Sequence, residues 1–219
     1  MDAQTLATIT GLALVDSVNP CTIAVIALLL SAILITKGRK DAILAGMLFT
    51  ATIYVMYLLY GLGILTAIYA LGLGDILRII LKVLLAIMII SEFSAVIRYA
   101  PGLRSMEMPM SFRPIAKKAT QSVENPWMAI PVAALCSVLL LPCSSGPYVS
   151  AILLLANSNV EKILYLLYYN LLFVLPMIAI VLLVGWGTKP EKVMEWRNRH
   201  IRTLHLAAGI LLLAVFFMV

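Results

Sequence analysis

Charge is scarce in this chain. Only 12% of its 219 residues are Asp, Glu, Lys or Arg, where a soluble domain carries about 25%, so a water-soluble globular fold is excluded. Cysteine and histidine are scarcer still, at three and two. Their spacing fits no zinc site, and no glycine-rich phosphate loop is present. A net charge of +6 would suggest nucleic acid in a soluble protein. Here the basic residues cluster in short stretches between apolar runs, so no nucleic acid partner is expected and the lipid bilayer is. A basic leader region is also missing. The first apolar run far exceeds the roughly 7–15 residues of a signal peptide, so residues 1–35 are expected not to be a cleaved leader.

What the chain has is apolar length: 63% of it is hydrophobic. Six segments stand out, Leu6–Ile35, Ile43–Leu71, Ile76–Ile97, Trp127–Ala156, Val160–Trp186 and Leu204–Val219. They predict an all-α integral membrane protein of six transmembrane helices. About 20 residues cross the hydrocarbon, so the longer segments must tilt, kink or overhang. Of the 16 Lys and Arg, 13 fall in the first, third and fifth loops. These include Lys37, Arg39 and Lys40, then Arg98, Arg104, Arg113, Lys117 and Lys118, then Lys189, Lys192, Arg197, Arg199 and Arg202. Those loops are therefore expected in the cytoplasm, with both termini extracytoplasmic in a multi-pass cell-membrane protein. The third loop, residues 99–126, holds Pro101, Pro109, Pro114 and Pro126. It reads as a linker or docking surface, with residues 113–123 as a short amphipathic piece at the headgroups.

The flanking parts, residues 1–98 and 127–219, echo each other. Asn19-Pro20-Cys21 lies midway along the first segment and Leu141-Pro142-Cys143 midway along the fourth, offset by 122 residues. Gly61-Leu62-Gly63 matches Gly185-Trp186-Gly187, and Arg78 matches Arg202, each offset by 124. Two halves of three helices must enter the membrane from opposite sides. That predicts two inverted three-helix repeats whose equivalent positions converge near the midplane, Cys21 and Cys143 among them.

Proline inside a helix removes a hydrogen bond, and in lipid the freed carbonyl needs another partner. Helices one and four are thus expected to be broken at Pro-Cys. If a helix restarts there, Asn19 is its N-cap, Pro20 its first residue, and Cys21 lies in its first turn. The positive end of the helix then favours a thiolate, the attacking species in disulfide exchange. Cys143 follows Pro142 in the same way, with Ser144 and Ser145 able to bond the sulfur or freed backbone groups. Gly146-Pro147 supplies a second breaker, read as a gating point or a simple kink. Cys136, two turns before Cys143, is expected to be structural.

Asp16, one turn before the first Pro-Cys, either exchanges a proton with the cysteine or lies in a water-filled vestibule. Glu92 is expected to snorkel, and His200 and His205 to sit at the interface. Asn170 and Pro176 suggest a second irregular helix. Tyr165, Tyr168 and Tyr169 suggest an aromatic belt, whereas Tyr54, Tyr57 and Tyr60 read as packing residues with hydroxyls aimed at a cavity.

With six helices in two inverted halves and the motifs Asn19-Pro20-Cys21 and Leu141-Pro142-Cys143-Ser144-Ser145-Gly146-Pro147, the chain resembles the CcdA family of cytochrome c biogenesis proteins and the transmembrane domain of the DsbD reductases. The resemblance covers essentially the whole chain. It differs in having no proline shortly after Cys21 and two residues, not one, between Cys143 and Gly146-Pro147. The resemblance implies a membrane thiol–disulfide oxidoreductase. Cytoplasmic thioredoxin would reduce a Cys21–Cys143 pair, which would then reduce an extracytoplasmic thioredoxin-like acceptor serving cytochrome c maturation. It implies no cofactor beyond the redox-active cysteines, and Pro20 and Pro142 as the helix breaks. The residues themselves also admit an inverted-repeat exporter of a small solute or soft metal ion with cysteine ligands, or a structural subunit with incidental cysteines.

Overall fold

The structure, a computed structural model, describes residues 3–71, 74–97, 108, 110–156 and 162–218. Arg98, Pro101, Arg104, Pro109, Val160 and Val219 lie outside the described residues. Those described form an all-helical protein: α1 (Ala3–Ser17), α2 (Pro20–Thr36), α3 (Arg39–Leu71), α4 (Gly74–Ile97), α5 (Arg113–Gln121), a 3₁₀ turn (Pro126–Met128), α6 (Ala129–Ala156), α7 (Lys162–Gly185) and α8 (Pro190–Met218). Four stretches among them are long and apolar enough to cross a membrane: Arg39–Ile68, Pro126–Ala156, Lys162–Gly185 and Pro190–Phe217. The α1–α2 pair, bent by 49°, makes a fifth if it is one span. These helices suit a multi-pass membrane protein. Their outer faces are apolar as well, with Val55, Leu59, Leu171 and Ile210 each about half exposed.

The two Pro-Cys motifs fold differently. At the first the helix ends at Ser17 and restarts at Pro20, with Asn19 as N-cap accepting the Cys21 N–H at 2.9 Å. At the second there is no break: α6 runs through both Pro142 and Pro147, correcting the expectation for helix four. The reason lies one residue upstream of each proline. Asn19 has a side-chain acceptor that can cap a new helix, whereas Leu141 has none. α6 therefore stays continuous, and the Asn19 side chain meets the carbonyl that Pro147 releases.

Two further corrections concern the second half. The basic run 190–202 is the opening of α8 rather than loop, because Pro190 suits a first helical position and the residues after it lack helix breakers. Pro176 leaves α7 continuous from Lys162 to Gly185. The amphipathic piece of the third loop forms as α5.

α3 packs against α6 and α7, α4 against α8, and α1 against α7 and α8. The α3–α6–α7 junction is close. A Cβ on Gly61 would fall 2.8 Å from the methyls of Leu166, so only glycine lets the helices approach there. Aromatic rings fill the same junction. Tyr57 lies 5.4 Å from Tyr148 and 4.8 Å from Phe173 between ring centroids, and Tyr148 lies 5.3 Å from Tyr169. The Tyr148 hydroxyl donates to the Tyr57 carbonyl, binding α6 to α3.

Candidate functional site

Cys21 lies in the first turn of α2 and is buried. Its Sγ accepts the backbone N–H of Met108 at 3.0 Å. It lines a cavity of about 180 Å³ together with Met108, Arg113, Lys117 and Arg197. Arg197 also reaches across from α8 and donates its Nε to the Pro20 carbonyl at 2.8 Å. Helix terminus, amide and basic side chains all present positive charge to this sulfur.

Cys143 comes from the middle of α6 and is buried. It lies close enough to Cys21 for the two thiol side chains to interact directly. Neither sulfur is in a disulfide. The surroundings of Cys143 are the reverse of those of Cys21: its Sγ donates to the Leu140 carbonyl at 2.9 Å, and the Asp16 carboxylate stands nearby. One thiol thus sits among donors and positive charge, while its neighbour bonds a carbonyl beside a carboxylate, with the Asn19 amide also at hand. Such a pair suits thiol–disulfide exchange, in which one sulfur is attacked and the other leaves.

Asn19 joins the two motifs. Its Oδ1 caps α2, and its Nδ2 donates to the Cys143 carbonyl at 3.1 Å. That carbonyl is four residues before Pro147, so it is the one whose helical partner Pro147 removes. Ser145 bonds back to the Pro142 carbonyl at 3.3 Å, and Ser144 is buried beside Asp16. Gly146 is buried in the same turn of α6, inside an unbroken helix. Asp16 is 1% exposed and so lies in no open vestibule. Its Oδ2 accepts from Tyr169 at 3.1 Å. Its Oδ1 makes no direct hydrogen bond, although Ser144 and Asn19 stand beside the carboxylate.

Several neighbours escape the sequence reading. Tyr169, expected in an aromatic belt, is fully buried on Asp16, and Tyr165 is buried too. Glu92 does not snorkel and His205 is not interfacial. The two are buried together, with His205 Nδ1 2.6 Å from Glu92 Oε2. The available signal was an ionisable residue inside an apolar segment, which marks a functional site by default. Cys136 is buried in α6, and Tyr60 bonds Ser137 at 2.9 Å. Among the described residues no three His, Cys, Asp or Glu group closely enough to hold a metal ion. No family model matches the chain, and neither does any curated protein or solved structure.

Proposed function

We propose that this chain is a membrane thiol–disulfide oxidoreductase of the CcdA type, carrying reducing equivalents from cytoplasmic thioredoxin to extracytoplasmic thioredoxin-like proteins for cytochrome c maturation. The observation that carries the reading is the contact of Cys21 with Cys143, two thiols from opposite halves of the chain. In this reading α1–α2, α3 and α4 form one repeat and α6, α7 and α8 its inverted copy, with α4 as the sixth span. The packing pattern supports the symmetry. The contact of α3 with α6 has its counterpart in that of α1 and α2 with α7, and the contacts of α1 and α2 with α8 have theirs in that of α4 with α6.

The basic residues orient the molecule with Arg113, Lys117 and Arg197 toward the cytoplasm. The cavity in front of Cys21 then opens on the side where thioredoxin works. A thioredoxin thiolate attacks Cys21 of the oxidised pair. The Cys21–Cys143 bond breaks, Cys143 leaves with the electron pair, and a mixed disulfide forms on Cys21. The second thioredoxin thiol attacks its own partner sulfur and releases Cys21 as a thiol. The reduced pair passes two electrons to an external disulfide by the same exchange in reverse.

Non-reducing mass spectrometry of the purified, oxidised chain tests the reading and should find a Cys21–Cys143 peptide. Cys143→Ser should accumulate a mixed disulfide between Cys21 and thioredoxin in cells. A chain with no such link, which instead binds a soft metal ion through both thiols, would be an exporter.

A further inference from the structure

A second cavity, of about 30 Å³, shares no lining residue with the basic one and is lined by Asp16, Asn19, Cys143, Pro147, Glu92 and His205. A single water needs roughly 10–15 Å³ by this measure and two to four polar partners, and the lining supplies both. In its lining the Glu92 carboxylate and the His205 imidazole share one hydrogen bond, with side-chain exposures of only 7% and 2%. The titratable groups that line this cavity, or stand against its thiol or Asp16, come from every helix around it. They are Asp16 of α1, Cys21 of α2, Tyr57 of α3, Glu92 of α4, Cys143 of α6, Tyr169 of α7 and His205 of α8. Of these, the Glu92–His205 pair joins an acid to a base at a single hydrogen bond, so it can hold or release one proton with little rearrangement.

We propose that the Glu92–His205 pair is the proton store of the thiol couple, exchanging one proton with Cys143 through water in this cavity. The inference rests on the redox reading above. When the Cys21–Cys143 bond is broken by a thioredoxin thiolate, Cys143 leaves as a thiolate in a dry interior. It takes a proton from the pair, which then carries one proton fewer. When Cys143 next gives up its electrons to an external disulfide, its thiol proton returns to the pair. The electrons come from the thioredoxin dithiol, and no other oxidant or reductant is involved. Asp16, hydrogen-bonded to Tyr169, lines the same cavity. Glu92 and His205 act here through Cys143 and are positioning residues.

The test is the rate of reduction of the oxidised full-length protein by thioredoxin in proteoliposomes from pH 6 to 9. The wild type should give a bell, rising as the attacking thioredoxin thiol ionises and falling where proton donation to Cys143 becomes limiting. Glu92→Gln keeps the shape and the hydrogen bond, and His205→Asn keeps a polar partner. Both should lose the falling alkaline limb and slow at least tenfold near neutrality, within the roughly 10²–10⁴ that a positioned proton donor contributes. Infrared difference spectra between chemically oxidised and reduced protein supply a readout without thioredoxin, and should carry a carboxyl band that Glu92→Gln abolishes. A disulfide that forms normally, with an unaltered alkaline limb in both variants or no carboxyl change, overturns the proton store and leaves the oxidoreductase standing. Failure of any Cys21–Cys143 disulfide to form overturns both.

Discussion

The side-chain amide of Asn19 donates to the backbone carbonyl of Cys143, 3.1 Å away and 124 residues along the chain. One side chain thereby starts α2 with its oxygen and mends α6 with its nitrogen, at the place where Pro147 leaves a carbonyl without a helical donor.

Asn19→Ala removes both services at once. A lost cap costs about 1 kcal/mol and a buried carbonyl left without a donor about 1–3 kcal/mol, so unfolding in detergent should move by about 2–4 kcal/mol in total. Pro147→Ala returns a backbone N–H to the Cys143 carbonyl. In that background the effect of Asn19→Ala should shrink to the cap alone, about 1 kcal/mol. A double-mutant cycle with purely additive effects would deny the repair.

The unequal surroundings of the two sulfurs predict unequal trapping. With Cys143→Ser, thioredoxin should be captured on Cys21, whose cavity carries Arg113, Lys117 and Arg197. With Cys21→Ser, far less should be captured on Cys143, which does not line that cavity. Diagonal gel electrophoresis of cross-linked cells reads both, and equal capture would contradict the asymmetry.

Arg197 contributes a charge beside that cavity and a hydrogen bond to Pro20 at 2.8 Å. Arg197→Gln should slow mixed-disulfide formation severalfold at low salt, and the difference from wild type should narrow as salt rises past about 0.15 M. Reaction with a small neutral disulfide should change much less. A loss that is equal for both reagents and indifferent to salt would assign Arg197 a purely architectural part.

At Gly61 even one methyl must displace Leu166, whose methyls stand 2.8 Å from the added carbon. Gly61→Ala should cost about 1–3 kcal/mol through overpacking. Gly63→Ala, where nothing stands within 4 Å of the added carbon, should be near neutral. Thermal unfolding of the two variants side by side separates the cases.

The sequence was readable wherever local chemistry decides the outcome. Asn19-Pro20 carries both cap and first helical residue, and the helix breaks there. Pro142 looks like the same signal, but Leu141 cannot cap, so the missing ingredient was visible and outweighed by the repeat. The start of α8 was hidden because its basic residues read as a loop when only apolar length defines a helix. Glu92 and His205 stand 113 residues apart, and nothing local to either announces the other. Their meeting is a property of α4 packing on α8. The same holds for Tyr169 and Asp16, where an aromatic belt was the local reading and a buried hydroxyl donor is the result.

Tyr57, Tyr148, Tyr169 and Phe173 clamp three long helices into a single slab. A slab fastened ring upon ring has little freedom to tilt within itself. A rearrangement that admitted a partner in the proposed exchange would have to spare this slab and fall on the bent α1–α2 pair, α4 and α8. Cys143 belongs to the slab and Cys21 to the bent pair, so in the proposed exchange the distance between the two sulfurs would gauge any such opening.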